Sequence, residues 1–174
     1  MNIDALMHLL TAAQQLCGHR DYVVIGSLSV LGMAQVEAIP LDMTLSIDAD
    51  CYTLTDPQRV FDLSAQLGEG SPYHHDHGIY LDPVSPHLPT LPQGWEQRLI
   101  QVNRPPVIAH CLEPNDAAIS KLARGEPRDL RWVCAGLQAS LISLAVLRLR
   151  VRHTTFLDDA EQQATLSRLG KLLK

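Results

Sequence analysis

The apolar positions near the start of the chain recur at helical spacing. This spacing predicts an amphipathic helix over residues 3–17, which Gly18 ends. The residues that set the spacing are Leu6, Leu9, Leu10, Ala13 and Leu16. After Gly18 the pattern changes to short apolar runs, so we expect helices and strands to alternate along the first part of the chain.

Short runs rich in β-branched, aromatic and aliphatic residues predict the strands. The runs cover residues 22–25, 44–53, 78–86, 97–102 and 107–112. Between them, Ser27 is placed to cap a helix that reaches about Gln35. Asp56-Pro57 begins another helix, which reaches about Leu67. The segment GEGSPYHHDHG, before the third strand, is predicted to be a loop.

From Pro114 onward every segment has a helical pattern. The predicted helices cover residues 115–123, 127–138, 140–151 and 159–173. We therefore predict an α/β (α+β) fold, with a small mixed β-sheet core, flanking helices and a C-terminal helical tail. Residues 1–112 are expected to form the core, and residues 113–174 to form a helical segment packed on it.

Composition limits the class of protein. The 174 residues are 46% hydrophobic and 19% charged, which is typical of a globular chain. The longest apolar stretch, near residues 141–147, is too short to span a bilayer, and the first residues do not resemble a signal peptide. We expect a cytoplasmic protein without membrane contact. Its four cysteines lie far apart and form no CxxC pair, which favours buried, reduced thiols.

Charge is distributed unevenly along the chain. Residues 1–100 contain twelve acids and three bases, whereas residues 101–174 contain eleven bases and seven acids. An acidic part that binds a cation and a basic part that binds phosphates would suit a metal-dependent nucleotide enzyme. Chance and an ordinary solvated surface would explain the same distribution.

Two short stretches contain the candidate chemistry. Asp48 and Asp50, in LSIDADCYT, are two residues apart in a predicted strand and so share one face. Two carboxylates this close favour a cation, and Mg²⁺ prefers such oxygen ligands. In VVIGSLSVLG, Gly26-Ser27 follows a strand and opens a helix whose N–H groups can bind an anion. Alternatively, the acids lie on an exposed edge strand and Gly-Ser is a plain turn.

The order of these elements resembles the nucleotidyltransferase superfamily, with its minimal polymerase-β-like fold. Members share a strand, Gly-Gly or Gly-Ser, a helix, and a strand with two acids one residue apart. The later segment LEPNDAAISKLARGEPRDLRWV resembles an uncharacterised bacterial branch related to the abortive-infection toxin-type nucleotidyltransferases. The resemblance covers roughly residues 22–138.

The resemblance implies roles for particular residues. Gly26 and Ser27 would hold a triphosphate, and Asp48 and Asp50 would bind Mg²⁺ or Mn²⁺. Asp82, in GIYLDPVSP, corresponds in position to a third catalytic acid. Lys121 matches a phosphate-binding lysine, and Arg124 lies one helical turn further on. The implied reaction transfers a nucleoside monophosphate from a nucleoside triphosphate (NTP) to an acceptor, which is RNA, a protein or a small molecule.

Other polar residues leave alternatives open. The histidines of the segment HHDH are expected to be ordinary loop residues. Alternatively, His77 or His74 lies at the rim of the nucleotide site, or the segment serves a zinc-dependent hydrolase. Asp116 is expected in the first turn of its helix, where the helix dipole favours an acidic side chain. Trp95 and Trp132 are expected to pack between core and tail. The basic residues Arg148, Arg150 and Arg152 suit either a tRNA-like acceptor or a solvated helix end. A different class of function also remains, namely a non-catalytic interaction protein with a protein partner, as in a toxin–antitoxin pair.

Overall fold

The computed structural model describes residues 1–34, 38–87 and 89–172. Its five-stranded mixed sheet has the order β3-β2-β1-β5-β4. The strands are β1 (Asp21–Val24), β2 (Asp48–Thr53), β3 (Tyr80–Pro83), β4 (Ile100–Arg104) and β5 (Val107–Cys111). β1 is central and pairs antiparallel with β2 and parallel with β5. β3 runs parallel to β2, and β4 runs antiparallel to β5.

Helices flank the sheet and form most of the C-terminal part. The α-helices are α1 (Ile3–Cys17), α2 (Ser64–Leu67), α3 (Pro72–His77), α4 (Pro114–Arg124), α5 (Pro127–Gln138), α6 (Leu144–Arg150) and α7 (Asp159–Lys171). Short 3₁₀ helices cover Ser27–Met33, Leu41–Met43, Pro57–Leu63, Trp95–Arg98 and Val151–His153. The mixed sheet, flanking helices and helical tail confirm the predicted fold class. Among the described residues, no helix is both long and apolar enough to cross a membrane.

Several predicted elements differ in detail. The predicted loop GEGSPYHHDHG contains α3, because Ser71 caps it by accepting the His74 N–H and Pro72 occupies its first turn. Six residues are too few to show an apolar period, so the sequence pattern missed this helix. The strand predicted over residues 44–53 begins only at Asp48.

The helix predicted from Ser27 is a 3₁₀ helix, and the capping role of Ser27 was wrong. Gly26 is the residue that precedes the first turn, and no side chain in the described part of the chain caps it. The Ser27 hydroxyl instead accepts a hydrogen bond from Lys121. The predicted end near Gln35 lies outside the described residues, as does residue 173, the predicted end of the last helix.

One continuous apolar core joins the sheet, α1 and the C-terminal helices. Trp132 of α5 is 2% exposed and donates its Nε1–H to the carbonyl oxygens of Ser27 and Met43, both at 3.1 Å. These contacts confirm that Trp132 packs the tail onto the core. Trp95 is partly buried against the same core. All four cysteines are free, and Cys51 and Cys111 are buried while the other two are partly exposed.

A buried ion-pair cluster lies beside this interface. Asp116, in the first turn of α4, is fully buried and accepts hydrogen bonds from Arg98 at 2.8 and 3.1 Å. Arg150 also contacts Asp116, at 3.0 Å, and Glu113. Asp116 therefore lies in the first turn, as predicted. It also links α4 to the 3₁₀ helix Trp95–Arg98 and to α6. The ion pairs of Arg150 do not fit the alternative of a solvated helix end at this residue, and its contact with an acceptor stays a prediction.

Candidate active site

Three carboxylates converge at one edge region of the sheet. Asp48 and Asp50 share a face of β2, and Asp82 lies opposite Asp50 in the register of the parallel strand β3. One oxygen from each of the three carboxylates lies within 4.8 Å of the others. We call Asp48, Asp50 and Asp82 the acid triad. The sheet register thus brings the predicted acid pair and the predicted third acid together.

The acid triad has the electrostatics of a cation site. Burial, together with the charges of Asp48 and Asp82, raises the pKa of Asp50 to about 7. Burial and the charge of Asp48 also raise the pKa of Asp82. Three carboxylates at this separation require a proton or a cation among them, and an all-oxygen set fits Mg²⁺ or Mn²⁺. Ser46 supports the site by donating its hydroxyl to Asp48 Oδ1 at 2.5 Å.

Gly26 lies directly against the acid triad. Its φ of +67° is unfavourable for residues with a side chain. A Cβ atom at this position would lie 1.8 Å from Asp50 Oδ2. The neighbouring Ile25 N–H donates to the Asp50 carbonyl at 2.9 Å, which holds the two strands in this arrangement. Only glycine therefore lets the backbone approach the Asp50 carboxylate this closely.

Lys121 connects the Gly-Ser turn to the helical tail. It is 4% exposed, which rules out the solvated helix face that would otherwise explain a lysine in α4. Its Nζ donates to Ser27 Oγ at 2.8 Å and to Asp129 Oδ1 at 3.3 Å, and it lies 4.9 Å from the centre of the Trp132 ring. Arg124 donates to both oxygens of Asp129, at 2.7 and 2.6 Å. Lys121, Arg124 and Asp129 form what we call the basic network.

The charges of the basic network depend on one another. Burial lowers the pKa of Lys121, although the charge of Asp129 opposes this shift. Burial would raise the pKa of Asp129, but the hydrogen bonds from Arg124 and the charge of Lys121 outweigh it and lower that pKa. Asp129 therefore stays ionised and holds two cationic side chains beside the Gly-Ser turn. Half of the Arg124 side chain, 52%, remains exposed to a ligand.

Two pockets meet at the acid triad. The first pocket has a volume of about 390 Å³. Its charged lining residues include Asp50, Lys121 and Arg124, and Gly26 lies beside them. Its other walls include the apolar residues Val84, Leu112 and Ala117 and the polar residues Thr90 and Glu161.

The second pocket, of about 320 Å³, is lined by Asp48, Ser27 and Trp132 and by two exposed arginines, Arg128 and Arg131. Asp42 adds a carboxylate to its wall. Because Asp50 lines one pocket and Asp48 the other, the acid triad lies between two spaces that can hold two different molecules.

The predicted histidine site lies elsewhere. His77 packs against Tyr73, with ring centres 4.2 Å apart, and against His8, at 5.3 Å. It lines neither of the two pockets. In the part of the chain that the structure describes, groups of three or more candidate metal ligands occur only at the acid triad, so the α3 histidines form no such group. The structure therefore does not bring His77 to the other predicted site residues.

Some residues of the site had no predicted role. Thr90 and Glu161 come together from segments 71 residues apart, and no sequence motif links them. Arg131 lies on the same side of α5 as Arg128, so the i, i+3 spacing in RDLRW is a signal that was available. Asp129 pairs with Lys121 and Arg124, and it follows Arg124 by five residues in the sequence.

Comparisons with known proteins bear on most of the chain. A family model described as "Nucleotidyltransferase of unknown function (DUF6036)" matches residues 4–169. The comparison with curated proteins and the comparison with solved structures gave no match. The matched segment includes the acid triad, the Gly-Ser turn and the basic network.

Proposed function

Because the chain belongs to this family of nucleotidyltransferases, we propose that it transfers a nucleoside monophosphate from an NTP to an acceptor hydroxyl. The observation that carries the proposal is the convergence of three carboxylates between two pockets, one of which contains Gly26, Lys121 and Arg124. A site that only bound a nucleotide would not need a second pocket at the same carboxylates. We place the protein in the cytoplasm, where NTPs and magnesium are present.

The donor nucleotide occupies the first pocket in this proposal. Gly26, Lys121 and Arg124 bind its phosphates, because they combine a close backbone approach with two cationic side chains. Ser27, on the wall of the second pocket, holds the Lys121 ammonium group beside the phosphates. Asp48 and Asp50 hold the divalent cation, with Asp82 as a further oxygen ligand. When bound, the cation would neutralise part of the phosphate charge and polarise the phosphorus–oxygen bonds.

The acceptor occupies the second pocket. Its hydroxyl faces the donor across the acid triad, and Arg128 and Arg131 suit an acceptor with a phosphate or carboxylate group. Asp82, as the third carboxylate of the acid triad, accepts the hydroxyl proton as the oxygen bonds to the α-phosphorus. The bond between the α-phosphorus and the bridging oxygen breaks, and pyrophosphate leaves. Otherwise the protein contributes position and charge. His77 has no part in this scheme.

The first test is binding of the four NTPs by calorimetry, with and without Mg²⁺. We expect Mg²⁺-dependent binding to the native chain and its loss in the Asp48→Asn/Asp50→Asn double variant. Asp62→Asn is a matched control, because Asp62 is an exposed acid whose ion pair with Arg59 lies at the surface. Absence of NTP binding by the native chain would contradict the proposal. That result would favour a non-catalytic member of the fold that acts through a protein partner.

A further inference from the structure

We infer that the first pocket also selects the donor base, and that the Glu161 carboxylate makes it prefer guanine. This inference rests on the proposed function, since it assigns the nucleotide for which the first pocket is built.

Glu161 lines the first pocket from the first turn of α7. Farther along α7, Arg168 donates to the carbonyl oxygens of Leu122 and Ala123, at 2.7 and 2.9 Å, which places Arg168 at the C-terminal end of α4, the part of the helix that contains Lys121 and Arg124. Glu161 precedes Arg168 by seven residues, a distance of about 10 Å along a helix axis. The pocket therefore extends from the cationic side chains, past Ala117, to the carboxylate of Glu161. A nucleotide with its phosphates at Lys121 would place its base toward Glu161.

The protein holds this carboxylate in a fixed orientation. The Leu157 N–H donates to Glu161 Oε2 at 2.8 Å, and the Thr90 hydroxyl lies 3.0 and 3.2 Å from the two oxygens. A carboxylate offers about four acceptor positions, so about two remain for a ligand. The walls of the same pocket also include Val84 and Leu112, whose apolar side chains suit the faces of a flat ring.

Guanine is the base that complements two adjacent acceptors. Its Watson–Crick edge carries the N1–H and N2–H donors side by side, and a carboxylate can accept both. Adenine and cytosine each place a ring-nitrogen acceptor beside their amino group, and uracil places carbonyl oxygens on both sides of its N3–H. These acceptors would face the charged oxygens of Glu161 and be repelled. The pattern of donors and acceptors thus favours guanine over the other three bases.

The test compares GTP, ATP, CTP, UTP and inosine triphosphate (ITP) by calorimetry with Mg²⁺. We expect GTP to bind about tenfold to a hundredfold more tightly than the other common NTPs, the range of one good bidentate contact. ITP lacks the N2 amino group and should bind more weakly than GTP. In Glu161→Gln, which replaces one acceptor with a donor, GTP should lose this advantage and the difference between GTP and ITP should disappear.

Asp159→Asn is the matched control for this variant. Asp159 is an exposed acid in the first turn of the same helix and lines neither pocket, so its removal makes the same charge change at the same helix end. The control should keep the preference for GTP. Mg²⁺-dependent binding of all four NTPs without a guanine preference would overturn this inference and leave the proposed function intact. Binding of no NTP at all would overturn both.

Discussion

At the scale of single residues, Gly26 is the strictest requirement of the site. In Gly26→Ala the added methyl group would overlap the Asp50 carboxylate, and the positive φ would add strain of about 1–3 kcal/mol. We expect a loss of stability of at least this size in urea unfolding, together with a loss of Mg²⁺-dependent NTP binding.

Gly170→Ala is the matched control for Gly26→Ala. Gly170 lies in α7, and a Cβ atom there would meet no atom of the described residues within 4 Å. Since alanine is the better helix former, this control should raise the stability by up to about 1 kcal/mol and leave NTP binding unchanged. Equal effects of the two substitutions would contradict the close approach at Gly26.

The raised pKa of Asp50 predicts a pH-dependent stability in the absence of a divalent cation. A carboxyl group with a folded-state pKa of about 7 and an ordinary unfolded-state pKa contributes stability at low pH. That contribution is lost as the pH rises from about 4 through about 7, because the folded protein must release a proton that it binds more tightly. At pH 8 the melting temperature of the native protein should therefore be lower than that of the Asp50→Asn variant. Near pH 4 the two melting temperatures should converge.

The measurement is thermal unfolding of both proteins between pH 4 and 8. We expect a difference at pH 8 of at least about 2–4 °C, the shift that 1 kcal/mol produces in a chain of this size. Mg²⁺ should reduce the difference at pH 8 by stabilising only the native protein. Parallel pH profiles for the two proteins would show that the environment of Asp50 is not as described.

At the scale of elements, the basic network joins α4 to α5. Asp129→Ala would leave the buried ammonium group of Lys121 without its carboxylate, and breaking a buried pair in this way costs about 3–5 kcal/mol. Lys121→Met should cost less, because Asp129 keeps both hydrogen bonds from Arg124. In the double variant the loss should be smaller than the sum of the two single losses, by about 0.5–3 kcal/mol.

Urea unfolding of the three variants measures this coupling. Asp62→Ala is a suitable control, since the Asp62 side chain is 62% exposed in its pair with Arg59. Its effect should stay within about 0.5 kcal/mol. Additive losses at Lys121 and Asp129 would contradict the coupling.

The elements also show what a sequence pattern can and cannot predict. The positions of Asp48 and Asp50 followed from the two-residue period of a strand, which is a local property. Asp82 was placed by resemblance, and its contact with Asp50 depends on the parallel register of β3 with β2. The first pocket was beyond prediction, since Thr90 and Glu161 meet only through packing of distant segments. The prediction for His77 was misleading because the six residues of α3 gave no periodic signal. The direction of the His77 side chain therefore could not be inferred from the sequence.

At the scale of the whole molecule, the uneven charge of the sequence acquires a structural meaning. The acid triad comes from the acidic first hundred residues, and the cationic side chains of both pockets come from the basic remainder. The site therefore exists only where the core and the helical tail meet. The division of the chain at residue 112 stays a prediction, but the two parts share one apolar core.

This shared core predicts that the chain unfolds as a single cooperative unit. Trp132 donates across the interface to Ser27 and Met43, and the buried Asp116 accepts from Arg98. A fragment of residues 1–112 would expose the apolar surface that the tail covers, and we expect it to show no cooperative transition. In the full chain, urea transitions followed by far-ultraviolet circular dichroism and by tryptophan fluorescence should coincide. Two separated transitions, or a cooperatively folded fragment, would mean that core and tail are independent and that the site between them can open without unfolding.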